Sequence, residues 1–393
     1  MLSEQSAATV RATLPAVGAA IGEITERFYG RLFAAHPDLL RNLFNRGNQA
    51  AGTQRQALAG SIAAFATYLV EHPDERPDVM LSRIAHKHAS LGVLPEQYPV
   101  VHEHLFAAIV EVLGEAVTPE VAAAWDEVYW LMANALIAIE KRLYEESEHL
   151  GFRTWEVVGR VEETADVATF QLRPADDGPV PDFGPGQYVS VRVELPDGAR
   201  QIRQYSLSSA PGSPVRQISV KRERGGAGPD GEVSGHLHAH VREGSTLELS
   251  APYGDLVLQA TDAPLLLASA GIGVTPMIAM LEQLARTGHS APVTVVHADR
   301  SPAAHALRAD HEAFAAKLPD AAVHLWYEEE APDSAHTGLV DLSTVPVASG
   351  TRAYLCGPLP FMRAVRTQLI EKGVAPADIH YEVFGPDLWL SQG

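Results

Sequence analysis

The chain has a single cysteine, Cys356, in 393 residues, so no internal disulfide can form and the fold must be held by buried apolar area. Nowhere do about 18 apolar residues run together, as a membrane span would need; PLLLASAGIGV, from Pro264, comes nearest. The opening MLSEQSAATV lacks the cationic start and the apolar run of a secretory leader, which predicts a cytoplasmic, reducing location. Positive charge is scarce as well: 30 Lys plus Arg stand against 49 Asp plus Glu, a net −19. Such a surface repels phosphate backbones and anionic lipid, so nucleic-acid and membrane partners are not expected. Blocks of like charge, low-complexity runs and internal repeats are missing too. A globular chain of this length should hold two to four domains, at roughly 100 to 200 residues each.

From Leu2 to about Glu148 apolar residues recur at helical spacing with no alternating stretch. The pattern predicts an all-α domain over 1–148, with helices near 2–18, 20–35, 52–70, 77–90, 96–115 and 119–148, several opening at Ser, Thr or Pro. After Gly151 the texture changes to WEVVGRVEE, VATFQLRP, QYVSVRVEL, RQYSLSS, RQISVKRE and TLELSAP. These short β-rich runs predict an antiparallel β-barrel over 149–260. PLLLASA, PVTVVHAD, VHLWYEE and RAYLCG then read as buried strands, mostly separated by helical stretches. They predict an α/β domain with a parallel sheet over 261–393.

Three stretches carry candidate chemistry. In SAGIGVTP, Ser269 to Pro276, a strand gives way to a helix through Gly271, Ile272 and Gly273. Glycines there permit a tight turn, and with Val274, Thr275 and Pro276 opening the helix, free N–H groups would face an anion such as a dinucleotide pyrophosphate. The motif is neither a full G-x-G-x-x-G nor a Walker A sequence, and a plain turn satisfies it equally. In RQYS, Arg203 and Tyr205 share one strand face. Arg203 suits a diphosphate, Tyr205 a flavin ring, Ser206 a hydrogen bond to a ring edge; an exposed Arg beside a half-buried Tyr is the plain alternative. GEVSGHLH places Gly231 and Ser234 at a helix start, either a second anion cradle or an ordinary cap.

In RIAHKHASL, His86 and His88 point about 200° apart on a helix, so only one can face a given pocket. His88 shares its stripe with Ile84 and Leu91, whereas His86 lies with Ser82 and Ser90 on the side read as polar. His88 is therefore the better metal ligand, although a hydrogen-bonded core histidine fits the same pattern.

Taken together, RQYS, GEVSGHLH, AGIGVTP, CGP at Cys356 to Pro358 and YEVFGP at Tyr381 to Pro386 resemble the ferredoxin-reductase family in order and context. ERFYGRLFAAHP, LFNRGNQ, QRQALAGSI, KHASL, PEQYPVVHEHL and ALIAIEKRLY resemble the globin domain of bacterial flavohemoglobins. The combination spans essentially the whole chain. It implies a globin fold, a FAD-binding barrel and a NAD(P)-binding domain, with heme b, FAD and NAD(P)H as cofactors and NADH favoured. The family activity would be nitric oxide dioxygenation, with O₂ and nitric oxide as substrates and no obligatory protein partner.

Carried over to matching positions, His88 would be the proximal ligand of heme iron and Tyr98 and Glu140 its supporting pair. Tyr29 and Gln54 would be distal, with Phe44, Leu58 and Lys87 lining the heme pocket. Tyr188, Arg203, Gln204, Tyr205, Ser206, Glu232, Val233, Ser234, Val383, Phe384, Gly385 and Pro386 would surround flavin. Gly271 to Pro276, with Cys356, Gly357 and Pro358, would meet the nicotinamide nucleotide. The stretch Gly225 to Gly231 is longer than its turn needs, which leaves the phosphate-contacting backbone groups there unassigned, and Arg300 fits a 2′-phosphate or water. Two other readings stay open: an oxygen-binding globin whose reductase keeps its heme reduced, and a heme-free flavin reductase with a helical docking domain.

Overall fold

A computed structural model describes residues 2–147, 149–225, 230–329 and 331–386. The chain divides into two compact units, one built on residues 2–151 together with 194–202, the other on 152–193 and 203–384.

The first unit is helical: α1 (Glu4–Ala35), α2 (Pro37–Asn42), α3 (Arg46–Ala50), α4 (Thr53–Glu71), α5 (Asp78–Leu91), α6 (Gln97–Leu113) and α7 (Pro119–Glu146). α1 is one helix of 32 residues where two were expected, and Pro15 lies inside it. Proline removes one N–H from the ladder at a cost of about 3 kcal/mol in an isolated helix. Here the buried stripe Val10, Val17, Ile24, Phe28, Leu32 holds both halves to the core. α2 and α3 were not anticipated; each is too short to show a period.

The second unit begins with β1 (Phe152–Glu162), β2 (Val167–Pro174), β3 (Tyr188–Glu194), β4 (Arg200–Ser206), β5 (Arg216–Lys221), α8 (Glu232–His240) and β6 (Thr246–Ser250). The strands form a sheet in the order β4-β3-β6-β1-β2-β5, with β1–β2, β1–β6, β2–β5 and β3–β6 antiparallel. A bridge between Leu207 and Ile218 ties the two outer strands, closing the barrel. The six strands are those the β-rich runs predicted.

Then come β7 (Leu265–Ala270), α9 (Val274–Thr287), β8 (Val293–Asp299), α10 (Arg308–Ala315), β9 (Ala321–Tyr327), β10 (His336–Thr337), β11 (Arg352–Cys356), α11 (Leu359–Glu371) and β12 (Ile379–Glu382). All pairs are parallel, in the order β10-β9-β8-β7-β11-β12. β7 is buried along its whole length, which is why it reads as an unbroken apolar run. The strand order reverses between β7 and β11, so a crevice opens beyond their carboxyl ends, where such sheets bind ligands. Among the described residues no helix is long and apolar enough to cross a membrane.

Candidate functional site

In the helical unit, α5, α6 and α7 bring three of the expected residues together. His88 sits in the last turn of α5, which Gly92 ends in a left-handed conformation, φ 76°. Its Nδ1 lies 2.8 Å from Glu140 Oε1 and 3.0 Å from Tyr98 Oη, and the Tyr98 hydroxyl donates to the same carboxylate oxygen at 2.5 Å. A carboxylate only accepts, so the proton of the His88 ring resides on Nδ1 and the lone pair on Nε2. Among the described residues that Nε2 has no hydrogen-bond partner, and the side chain is 33% exposed. Burial, then the neighbouring Glu140 charge, push the Tyr98 phenol far up, so it stays a donor. Tyr98 is itself placed by the Tyr129 hydroxyl, which donates to its carbonyl at 2.6 Å.

Tyr29, on α1, is buried, with the side chains of Gln54 and Gln49 beside its hydroxyl. Burial raises its phenol well above the ordinary value, so this hydroxyl also remains protonated. The Phe44 ring lies edge-on to Tyr29 at 5.8 Å and to Phe33 at 5.3 Å. Leu58, one turn along α4 from Gln54, is partly buried against the same core, and Lys87 is half-buried beside His88. Gln49 was missed: its Nε2 is buried without a partner, and only its nearness to Tyr29 marks it, a relation no local pattern carries. Ser90, read as lying on the polar side, is fully buried with its hydroxyl on the Lys87 carbonyl. That bond hides the hydroxyl inside the helix, so a serine can lie in the core.

These features fit an iron porphyrin. They are a free imidazole nitrogen backed by a buried carboxylate, partly uncovered Phe44, Leu58 and Ile84, and an unpartnered amide nitrogen at Gln49.

In the barrel, Gln204 donates to Ser190 Oγ at 3.0 Å, so its amide braces β3. Arg203 and Glu223 both act electrostatically on Tyr205, whose phenol is raised by burial. Among the described residues Ser206 Oγ is buried with no hydrogen-bond partner, which suits a hydroxyl that meets a flavin. Tyr188 is buried, bridged to Tyr253. Among the described residues no side chain caps the start of α8, whose first turn holds Glu232, Val233 and Ser234, a helix start that suits an anion. The Ser234 hydroxyl has another task, accepting from Glu223 N at 3.1 Å and approaching the Gly231 carbonyl at 3.3 Å. Of the Gly225 to Gly231 stretch, residues 226–229 lie outside the described residues. Val383 and an exposed Phe384 follow β12, and Gly385, at φ 101°, leads to Pro386.

At the crevice of the parallel sheet, Gly271 (φ 54°), Ile272 and Gly273 form a 3₁₀ turn between β7 and α9. A Cβ on Gly273 would lie 2.3 Å from the Cys356 carbonyl oxygen and 2.8 Å from Gly357 N, so only glycine lets this turn meet the Cys356–Gly357–Pro358 segment. α9 starts at Val274, which puts Pro276 third in the helix, not at the first helical position that proline favours and the sequence suggested; the Thr275 hydroxyl donates to Ile272 O at 3.0 Å. Pro276 still lies among the first-turn positions whose N–H would have no intrahelical partner. Cys356 is buried, and burial with Glu382 nearby pushes its thiol well up, keeping it neutral. Arg300 is paired with Asp166 at 3.6 Å, and its backbone N–H donates to Asp299 at 2.8 Å.

Comparison with known proteins matches the helical unit to the globin family over residues 26–136. Residues 154–258 match an oxidoreductase FAD-binding domain and residues 267–367 an oxidoreductase NAD-binding domain. A flavohemoprotein of Rhizobium meliloti is 43% identical over 405 residues, covering 99% of this chain and 100% of its own. The crystal structure of a flavohemoglobin from Malassezia yamatoensis with bound FAD and heme is 39% identical, with a TM-score of 0.91 over 98% of this chain and 100% of that one. The FAD/NAD-binding domain of a Vibrio cholerae nitric oxide dioxygenase is 40% identical, with a TM-score of 0.57, covering 60% of this chain and 99% of that one. With globin, FAD-binding and NAD-binding parts in one sequence and a relative this similar over its full length, the chain belongs to the flavohemoprotein family.

Proposed function

We propose that this oxidoreductase is a nitric oxide dioxygenase: NAD(P)H supplies electrons through FAD to heme b, and nitric oxide and O₂ leave as nitrate. The division 1–148, 149–260 and 261–393 gives each cofactor its own domain, in a cytoplasmic enzyme with no obligatory protein partner. When bound, FAD splits a hydride into single electrons, and heme takes one electron at a time and binds O₂.

The observation that carries this reading is the His88–Glu140–Tyr98 cluster, in the same chain as a dinucleotide crevice. Glu140 and Tyr98 fix the His88 proton on Nδ1 and make its other nitrogen a stronger donor to iron, the direction that favours O–O chemistry. Tyr29 would offer its O–H to a polar ligand held in the heme pocket, with Gln54 and Gln49 beside it, while Phe44 and Leu58 would restrict water. Arg203 pairs with the flavin diphosphate, Tyr188 and Tyr205 pack on the ring system, and Ser206 supplies a hydroxyl that now lacks a partner. Gly271–Pro276 receive the nucleotide pyrophosphate, with Cys356–Pro358 beside it. A carboxylate at the end of the second strand of such a sheet suits a ribose 2′-OH and opposes a 2′-phosphate. Asp299 holds that place, and with Arg300 already paired this supports NADH.

The purified protein is expected to show a Soret band and flavin absorbance, and to consume nitric oxide only with O₂ and NADH, yielding nitrate one for one. NADH oxidation without nitric oxide consumption in a fully loaded sample would reject the assignment in favour of an oxygen-binding globin with its own reductase. Flavin without a Soret band would favour the docking-domain reading.

A further inference from the structure

Phe44 lies in the short segment between α2 and α3, and that segment is held by one side chain 157 residues along the chain. Gln201 on β4 is fully buried. Its Nε2 donates to the carbonyls of Arg41 at 2.9 Å, Phe44 at 3.2 Å and Leu40 at 3.3 Å, and its Oε1 accepts from Arg46 N at 3.4 Å. The last carbonyls of a helix have no intrahelical partner. α2 ends at Asn42 and is followed by Leu43, at φ −126°, not by a left-handed glycine, so Gln201 acts as its C-cap.

Three further contacts surround it. Arg46 pairs with Asp197 at 2.6 Å, Arg41 donates to the Asp197 carbonyl at 2.9 Å, and Arg200 N donates to Asn42 Oδ1 at 3.2 Å. These lie partly in solvent, where such contacts add little. Loss of the Gln201 amide instead removes a fully buried side chain that serves three carbonyls and one N–H at once, so it dominates the cluster.

We propose that Gln201 is a positioning residue for the distal side of the globin pocket. By capping Leu40, Arg41 and Phe44 it keeps the Phe44 ring edge-on to Tyr29, and so keeps the Tyr29 ring in its place beside Gln49 and Gln54. The proposal rests on the heme-pocket reading above and adds a residue to it. Nothing in the local sequence of the 40–46 segment supplies this constraint.

The test uses the full-length, cofactor-loaded protein and the variants Gln201→Ala and Gln201→Met; methionine keeps the length but has no N–H. Amide hydrogen exchange over residues 42–47 should speed up roughly tenfold, the effect of losing one to two buried hydrogen bonds. In the same samples the C–O stretch of the ferrous carbon monoxide adduct should broaden or split, and O₂ dissociation should change several-fold, while the melting temperature of the helical unit holds. Unchanged exchange overturns the proposal. Faster exchange with an unaltered C–O stretch and O₂ dissociation overturns it too, leaving Gln201 a purely structural cap. If the alanine variant fails to fold, the methionine variant carries the test. A wild-type protein without a Soret band sinks the heme reading, and exchange over 42–47 still decides whether Gln201 holds the segment.

Discussion

Mild acid should weaken the NAD-binding half of this protein through histidines that have no part in the chemistry above. His297, His305 and His311 are all buried. The rings of His297 and His305 stack at 3.9 Å, His305 Nε2 lies 3.2 Å from His311 Nδ1 and its Nδ1 lies 2.9 Å from the Tyr327 hydroxyl. His297 Nδ1 meets Ser269 Oγ at 2.9 Å, at the end of β7 just before the glycine turn. Burial is the main cause that draws His311 down to about 4 and holds His297 and His305 well below the usual histidine range. Asp299 opposes this at His305, with its Oδ2 also 3.7 Å from His297 Nε2, Glu312 opposes it at His311, and Arg308 adds to it at His305.

A histidine whose folded pKa lies below its unfolded one takes up its proton first in the unfolded chain. Stability is therefore full above about pH 6.5 and falls as the pH drops. From 6.5 to 4 is about 2.5 units at 1.36 kcal/mol each, less the half-titration at the end, so His311 alone should cost about 3 kcal/mol by pH 4. His297 and His305 add in the same direction. The check is thermal melting of the whole protein followed by flavin fluorescence from pH 7.5 to 4, for wild type and His311→Gln. Carboxylates titrate in both, so their difference isolates the imidazole: the slope below pH 6.5 should shrink by close to one proton in the variant. Identical slopes would refute the reasoning.

Gly273→Ala should slow NADH reduction of flavin more than tenfold with heme and flavin spectra intact, because the new Cβ meets Cys356 backbone that cannot swing aside; unchanged stopped-flow rates would count against the crevice as the nucleotide site. Tyr29→Phe should weaken the oxygen complex by about 1 to 3 kcal/mol, read as roughly 5- to 150-fold faster O₂ dissociation. Glu140→Gln removes a charged acceptor from both His88 and Tyr98, and spectroelectrochemistry should find the heme midpoint potential raised, since a neutral amide makes the imidazole a poorer donor. Ser206→Ala discriminates sharply. If the orphan hydroxyl meets flavin, FAD should bind several-fold more weakly; if it meets nothing, its removal should leave affinity unchanged and stability equal or better.

Local pattern carried far into this fold. The period-2 runs located all six barrel strands, and a stripe of Ile84, His88 and Leu91 was enough to prefer His88 over His86. Those are properties of one helix turn or one strand face, and neighbouring residues determine them. Pro15 shows where such rules yield, since packing of α1 outweighs a missing hydrogen bond.

What local pattern could not supply is the relations between elements, which came only from the family resemblance or from the fold. Glu140 lies 52 residues from His88, yet the pairing fixes which ring nitrogen is free. Gln49 beside Tyr29, Gln201 under Phe44 and the stacked His297 and His305 have no signature in spacing. A side chain's neighbours within one element follow from 3.6- or 2-residue repeats. Its neighbours across elements follow from how buried surfaces interlock, and only the folded chain decides that.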